Sequence, residues 1–332
     1  MSPKSASSGA NAHQNEKAME NKDSQRAPQE TNPQTDGDAA RLATFSQYRG
    51  LLFSVAYRML GSVADAEDML QETFIRWQQT TGEEIRSPRA FLVTIITRLC
   101  INQLQSARVQ REEYVGEWLP EPLVTDPGSD PLDVLKADES ISMAFLLLLE
   151  RLTPMERAVF LLREVFEYEY AEITNVLGLS EANCRQIFRR ARQHVGDVRR
   201  HFDSSARDHQ DLMKRFIQAV RKGELEGLVA LLSSDAVLHT DGGGKAVALP
   251  KMVEGAENVA RAIIERTKAL PQQKLAVRMA RINGEPGFVS YLNGKPLSVL
   301  TLDGGDGRVM AIYVVTNPEK LAHLPDLPSA PY

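Results

Sequence analysis

Two all-α modules followed by an α+β domain is the fold class that this 332-residue sequence predicts. Three observations carry it. Apolar residues recur at helical spacing before residue 112 and again between residues 138 and 202; four prolines, at 120, 122, 127 and 131, separate those stretches; and the last part ends in alternating apolar runs divided by Asn-Gly, Asn-Gly and Gly-Gly pairs. A chain of this length exceeds one ordinary core, so several domains are expected.

Residues 1–40 are rich in Asn, Gln, Ser, Lys and Glu and have almost no large apolar side chain, so burial cannot offset their ordering entropy and a disordered tail is expected. Order should begin near Leu42, where Phe45, Leu52, Val55, Ala56 and Leu60 line one side of a helix that Gly61 stops. Ser62 can cap a second helix, with Ala66, Met69, Leu70, Phe74 and Trp77 on one side and Asp65, Asp68, Gln71 and Glu72 on the other. Pro88 opens a third, apolar early and basic late. These make a module over 41–112. The stretch 113–137 is a linker in which Tyr114, Trp118 and Leu119 are unusual for a solvated tether, so it should dock. Helical pattern over 138–202 is interrupted only at LTPMER and GLS. The third block, 206–325, starts with helices at 208–222, 225–232 and 257–268 and ends in a curved antiparallel sheet built from KLAVRMARI, PGFVSYLN, PLSVLTLD and RVMAIYVV.

The apolar runs MAFLLLLE and AFLVTIIT fall well short of the roughly 18 residues of a membrane span, and the N-terminus has no apolar signal core. A cytoplasmic protein without membrane partners is expected. Cys100 and Cys184 both lie in helical patterns without a second pair, which argues against a zinc site or a disulfide; no metal and no cofactor are expected. A net charge of −5 argues mildly against a free-standing nucleic-acid binder, although a basic element on an acidic chain can still meet phosphate. HTDGGGKAV invites a phosphate-binding reading and fails it. His239 stands where a P-loop needs its first glycine, Ala246 where it needs Ser or Thr, and Val247 where a dinucleotide fingerprint needs its third glycine.

The most informative stretch is YAEITNVLGLSEANCRQIFRRARQHV, residues 170–195. Gly178 permits a tight turn and Ser180 can cap the helix that follows it, which is a helix-turn-helix. In that second helix Cys184, Phe188, Ala191 and Val195 form a seam, leaving Arg185, Gln186, Arg189, Arg190 and Gln193 to meet phosphates and base edges.

DAEDMLQETF, the Pro-Arg-Ala-Phe-Leu helix, the linker and this helix-turn-helix together resemble regions 2 and 4 of bacterial extracytoplasmic-function sigma factors, over about residues 42–200. TRLCINQLQSAR, YVGEWLPEP, DGGGK and NPEKL further resemble the subgroup with a C-terminal SnoaL-like domain, an NTF2-like cone of sheet and helices that in enzyme relatives encloses a small hydrophobic substrate. The resemblance implies that Asp65, Asp68, Gln71 and Glu72 bind core RNA polymerase. It implies that Arg89, Arg98, Asn102 and Arg108 serve the −10 element and Arg185, Gln186, Arg189, Arg190 and Gln193 the −35 element of promoter DNA. Many members carry Asn and Asp where this chain has Arg98 and Asn102, so single base contacts do not carry over. The SnoaL-like domain would replace a separate anti-sigma protein and touch the sigma modules through Trp118, Pro120, Pro122, Asp241, Gly242, Gly243, Gly244, Lys245, Asn317 and Pro318; an unknown small ligand is left open as a further partner.

Three readings compete. The first is a promoter-specificity subunit without catalysis. A second is an enzyme whose cone uses His239 or Asp241 as general base, although no second partner at defined spacing is visible. The third is a one-component regulator that binds operator unaided and a ligand in its C-terminal domain; its kind usually needs one DNA-binding module, and this chain has two.

Overall fold

The computed structural model describes residues 33–80, 85–112, 114–125, 141–196, 206–271, 274–305 and 307–327. Helix α1 (Pro33–Leu60), α2 (Val63–Gln79) and α3 (Pro88–Glu112) form the first bundle. α1 starts ahead of the expected Leu42 because its first part is anchored: Trp77 Nε1 donates to Arg41 O at 3.0 Å and Arg41 donates to Gln78 O at 2.7 Å. The rest of the expected tail, residues 1–32, lies outside the described residues. Ser62 caps α2 by accepting from Asp65 N, and Pro88 is the first residue of α3 as its fixed φ suggests.

The second module comprises α4 (Met143–Glu150), α5 (Pro154–Phe160), α6 (Tyr170–Leu177) and α7 (Glu181–Val195). Besides the two expected breaks there is a third. α5 runs into a π-helical turn at Leu161–Val165, and Glu167 then takes a φ of 56°. Gly178 has the left-handed φ of 71° that the turn requires, and Ser180 accepts from Asn183 N. The buried seam of α7 is Cys184, Ile187, Ala191 and Val195; Phe188 is half-buried and stacks on Phe160, with ring centroids 6.1 Å apart.

These two modules are not independent bodies joined by a tether. Their apolar residues form one continuous core: Leu52, Val55 and Ala56 of α1 and Ile96 and Cys100 of α3 pack in the same cluster as Phe160, Leu162, Ile173 and Val176. Polar contacts reinforce the seam. Buried Arg157 donates to Met59 O at 2.6 Å and pairs with Glu150 at 2.8 Å, and the Arg58 guanidinium lies over the Phe166 ring.

The C-terminal part has α8 (Ala206–Lys222), α9 (Leu225–Leu231) and α10 (Ala256–Ala269), with strands β2 (Leu232–Asp241), β3 (Val253–Glu254), β4 (Leu275–Ile282), β5 (Glu285–Leu292), β6 (Lys295–Gly305) and β7 (Arg308–Val315). Linker residues Val124–Thr125 form β1 and join the same sheet, in the order β1-β4-β5-β6-β7-β2-β3. The expected α+β domain is present, with one correction: the sheet is mixed, because β2 pairs parallel with β7. The Asn283-Gly284 and Asn293-Gly294 pairs turn their hairpins with positive φ at both residues, whereas Gly304 and Gly305 belong to β6 itself.

Side chains alternate between the two faces of this sheet. Phe288, Leu302 and Ile312 pack with Met213, Phe216, Leu228 and Val259 of the helices. From the other face Ile282, Val289, Val299, Tyr313 and Val315 meet Leu119 of the linker and Met143 and Ala144 of α4. The sheet is thus packed on both faces, by its own helices and by the sigma-like half of the chain, with β4 left exposed over Ala276–Met279.

Candidate interdomain and nucleic-acid interface

DGGGK follows directly from β2, and NPEKL from β7. Since those strands run parallel, with Asp241 opposite Val315, the two motifs emerge side by side. Asp241 is fully buried and its carboxylate collects four donors: Tyr114 OH at 2.6 Å, Leu119 N at 2.9 Å, Gly243 N at 3.0 Å and Lys320 Nζ at 2.7 Å. Lys320 also donates to Leu119 O and lies 4.2 Å from the centroid of the Trp118 ring. A buried carboxylate with a paired ammonium is stable only when its remaining lone pairs are satisfied, and here the linker supplies two of the donors; removing one partner of such a pair costs about 3–5 kcal/mol.

Glycines permit the close approach. Gly243 and Gly244 both have positive φ; a Cβ on Gly243 would sit 2.3 Å from Asn317 Nδ2, and one on Gly244 would sit 3.0 Å from Val115 Cβ. A Cβ on Gly242 would clash within its own turn, 2.4 Å from Ala246 O. Asn317 is buried and donates to Tyr114 OH at 2.8 Å. Two members of the expected contact set behave differently: Lys245 pairs with Glu319 within the C-terminal part, and Pro318 is exposed. Lys245 sits at the outer end of the turn, where the nearest carboxylate is local.

The linker is held a second time. Trp118 fills the place of a side chain at Gly61, whose Cβ would lie 2.8 Å from Trp118 Cη2; Pro120 and Pro122 are buried beside it in sequence. Glu121 N donates to Gly61 O, and its carboxylate accepts from Val63 N at 2.8 Å and Ser62 Oγ at 3.1 Å. Burial alone would raise the Glu121 carboxyl, but the hydrogen bond and charge of His323 and the Val63 and Ala64 amides outweigh it and hold the group below the usual carboxylate range. Asn283, in the β4–β5 turn, reaches all three parts of the chain: its Oδ1 accepts from Leu123 N at 2.7 Å and Tyr57 OH at 3.2 Å, and its carbonyl accepts from Ile141 N at 2.8 Å. A third contact joins His239 Nδ1 to Glu117 Oε1 at 2.6 Å, with the imidazole stacked on Tyr313. Burial, and then the Asp241 carboxylate that accepts its proton, push the Tyr114 phenol up.

The nucleic-acid candidates divide into open and covered. On α7, Arg185, Gln186, Arg189, Arg190 and Gln193 are all exposed on one side, with Arg185 paired to Glu181 at 2.6 Å and lying over the Tyr170 ring. On α3, by contrast, Arg89 lies over the Tyr168 ring and Arg98 Nε donates to Val176 O at 2.9 Å, so both engage the second module. Between them a cleft of about 350 Å³ is walled by Ile85, Ser87 and Phe91 on one side and by Tyr168 and Asn175 on the other. Asn102 is exposed, and the Arg108 side chain lies outside the described residues. On α2, Asp68 and Gln71 are exposed, Asp65 accepts from Gln103 at 3.4 Å, and Glu72 pairs with Arg76 at 2.7 Å.

Among the described residues no group of His, Cys, Asp or Glu is arranged to hold a metal ion, and no helix is long and apolar enough to cross a membrane. Cys184 is buried in the seam, as expected of a core thiol. Sequence reasoning missed Glu117, Glu121, Asn283, Lys320 and His323. Glu117, Glu121 and Lys320 lie inside the YVGEWLPEP and NPEKL motifs, which signalled the region without singling them out; Asn283 looks like any hairpin asparagine.

Comparison with known proteins agrees with this architecture. Residues 44–109 match the Sigma-70 region 2 family and residues 142–195 match Sigma-70, region 4. The ECF RNA polymerase sigma factor SigJ of Mycobacterium tuberculosis (strain ATCC 25618 / H37Rv) is 36% identical over 296 residues, covering 86% of this chain and 94% of that protein. The probable ECF RNA polymerase sigma factor SigI of the same species (strain CDC 1551 / Oshkosh) is 30% identical over 281 residues, covering 84% and 94%. The crystal structure of M. tuberculosis SigJ superposes with a TM-score of 0.70 at 34% identity, covering 85% of this chain and 98% of that one. Two helical modules whose second ends in a helix with an exposed basic side, a docked α+β domain and relatives matched over nearly their whole length lead to one conclusion: the chain belongs to the ECF RNA polymerase sigma factors.

Proposed function

We propose that this sigma factor binds core RNA polymerase through the acidic side of α2, contacts the −10 element through α3 and the −35 element through α7, and is regulated by its own SnoaL-like domain rather than by a separate protein. The domain division that goes with this reading is the one given by the sequence: region 2 over 41–112, linker over 113–137, region 4 over 138–202 and the regulatory domain over 206–325. The observation that carries it is the buried Asp241 carboxylate, which takes Tyr114 OH and Leu119 N from the linker together with Lys320 from the far end of the regulatory domain. With the linker so held, α6 lies across α3 through Arg98 and Val176, and Arg89 faces Tyr168. This is a closed arrangement, and loading onto promoter DNA requires the second module to swing off α3.

Catalysis has no part in this reading. The two side chains that a hydrolase or isomerase would use, His239 and Asp241, are engaged with Glu117 and Lys320. The protein acts where polymerase and promoter are, in the cytoplasm. Transcription from a cognate promoter by purified core enzyme, with the full chain, with Asp241→Ala and with chains shortened in stages towards residue 205, tests the proposal. Output should change once Asp241 or its partners are lost, and the full chain should co-sediment with core. Unchanged output across the series would overturn regulation by the C-terminal domain; failure to co-sediment would overturn the polymerase assignment.

A further inference from the structure

The structure assigns Glu121 as a positioning residue that transmits docking of the C-terminal domain to the first turn of α2. The juxtaposition is within one carboxylate. Oε2 serves region 2, accepting from Val63 N at 2.8 Å, from Ser62 Oγ at 3.1 Å and, at 3.5 Å, from the direction of Ala64 N. Oε1 serves the C-terminal segment, 3.1 Å from His323 Nδ1. Glu121 itself is only 6% exposed.

The first amides of a helix have no partner within it. In α2 the cap residue Ser62 satisfies Asp65 N through its side chain and Ala66 N through its carbonyl, which leaves Val63 and Ala64. Glu121 takes up that task from a different segment of the chain, and its charge also complements the positive end of the helix dipole. A buried carboxylate is costly unless enough donors and positive charge compensate it. His323 supplies part of that compensation, so withdrawing the C-terminal domain removes a donor from one oxygen and favours rotation of the carboxylate to solvent, away from Val63. Asp65 lies in that first turn and Asp68 on the next. The order of the first turn therefore fixes where those carboxylates stand, and their use as polymerase contacts rests on the reading proposed above.

Amide hydrogen exchange at Val63 and Ala64 in the full-length protein tests this, together with affinity for core polymerase, for Glu121→Ala, Glu121→Gln, His323→Ala and the Glu121→Ala/His323→Ala pair. The α7 amides serve as an internal control for folding. Glu121→Ala should speed exchange at Val63 by about five- to tenfold, the usual effect of losing a cap. His323→Ala should speed it by a smaller factor, the double substitution should add nothing to Glu121→Ala, and Glu121→Gln, which keeps an acceptor, should restore most of the protection. If His323→Ala leaves Val63 unchanged, or if the two effects multiply, Glu121 is an ordinary cap and the proposal is overturned. If exchange follows the expected pattern while core affinity stays flat, the transmission is supported and the assignment of α2 to polymerase fails instead.

Discussion

Replacing Asn283 by glycine separates the turn it makes from the contacts it carries. Its φ of 55° suits glycine, so the β4–β5 hairpin keeps its backbone while the side chain disappears. Two donors then lose Oδ1. Tyr57 has one hydroxyl proton and a closer acceptor, Glu121 O at 2.7 Å against 3.2 Å for Asn283, so it loses little. Leu123 N has no such alternative at its 2.7 Å bond and becomes a buried unpaired amide, which costs about 1–3 kcal/mol. A midpoint of about 2 kcal/mol corresponds to an opening constant about 30-fold larger. Amide exchange at Glu121 and Ile141, whose own bonds go to Gly61 O and Asn283 O, reads that opening without touching the substituted side chain. Asn293→Gly is the matched control, because Asn293 has the same φ of 55° in the next hairpin and is exposed. If both substitutions gave equal exchange at Glu121 and Ile141, the side chain of Asn283 would carry no interdomain energy and the argument for a three-way junction would fall.

Two further outcomes follow from the same geometry. Burial, and secondarily Asp303, raise the Glu285 carboxyl to about 7, so the fold favours its protonated form; that contribution is complete below pH about 4.5 and is lost as pH rises through about 7. Glu285→Gln should flatten the fall in unfolding free energy between those values, a difference of about a few kcal/mol at most, and an unchanged slope in denaturant titrations would count against the assignment. On α7, Gln186→Ala should cost about 1–3 kcal/mol in promoter binding by the assembled holoenzyme, with relaxed preference at one base pair of the −35 element, while an equal loss on every sequence would mean that Gln186 meets only phosphate.

Local signals were legible in the sequence. Pro88 marked the start of α3, Gly178 and Ser180 marked the turn of the helix-turn-helix, and the two Asn-Gly pairs marked their hairpins, since each feature is set by backbone chemistry within a few residues. The seam of α7 was off by one position, because Ile187 and Phe188 are both apolar and only the neighbouring core decides which is buried. β2 escaped notice because Ser233, Ser234 and Asp235 interrupt its alternation where the register against β7 shifts, and its parallel pairing is a non-local fact. The closed packing of region 4 on α3 was equally invisible: Arg98 and Val176 are far apart in the chain, and neither residue type announces a partner. Of the contact set, Asp241 and Asn317 were named from their motifs, whereas Glu121, Asn283 and His323 acquire meaning only once the linker is seen threading between the domains.

The parallel pairing of β2 with β7 also sets an order of events during synthesis. Asp241 leaves the ribosome well before Thr316, Asn317 and Lys320, all three of which bond it, and β4, β5 and β6 are made in between. Throughout that interval the helical modules and the strap between them are already outside and can pack on one another, while the carboxylate of Asp241 still lacks Lys320. On the reading proposed above, a nascent chain therefore lacks the regulatory junction until Thr316, Asn317 and Lys320 have emerged to meet Asp241.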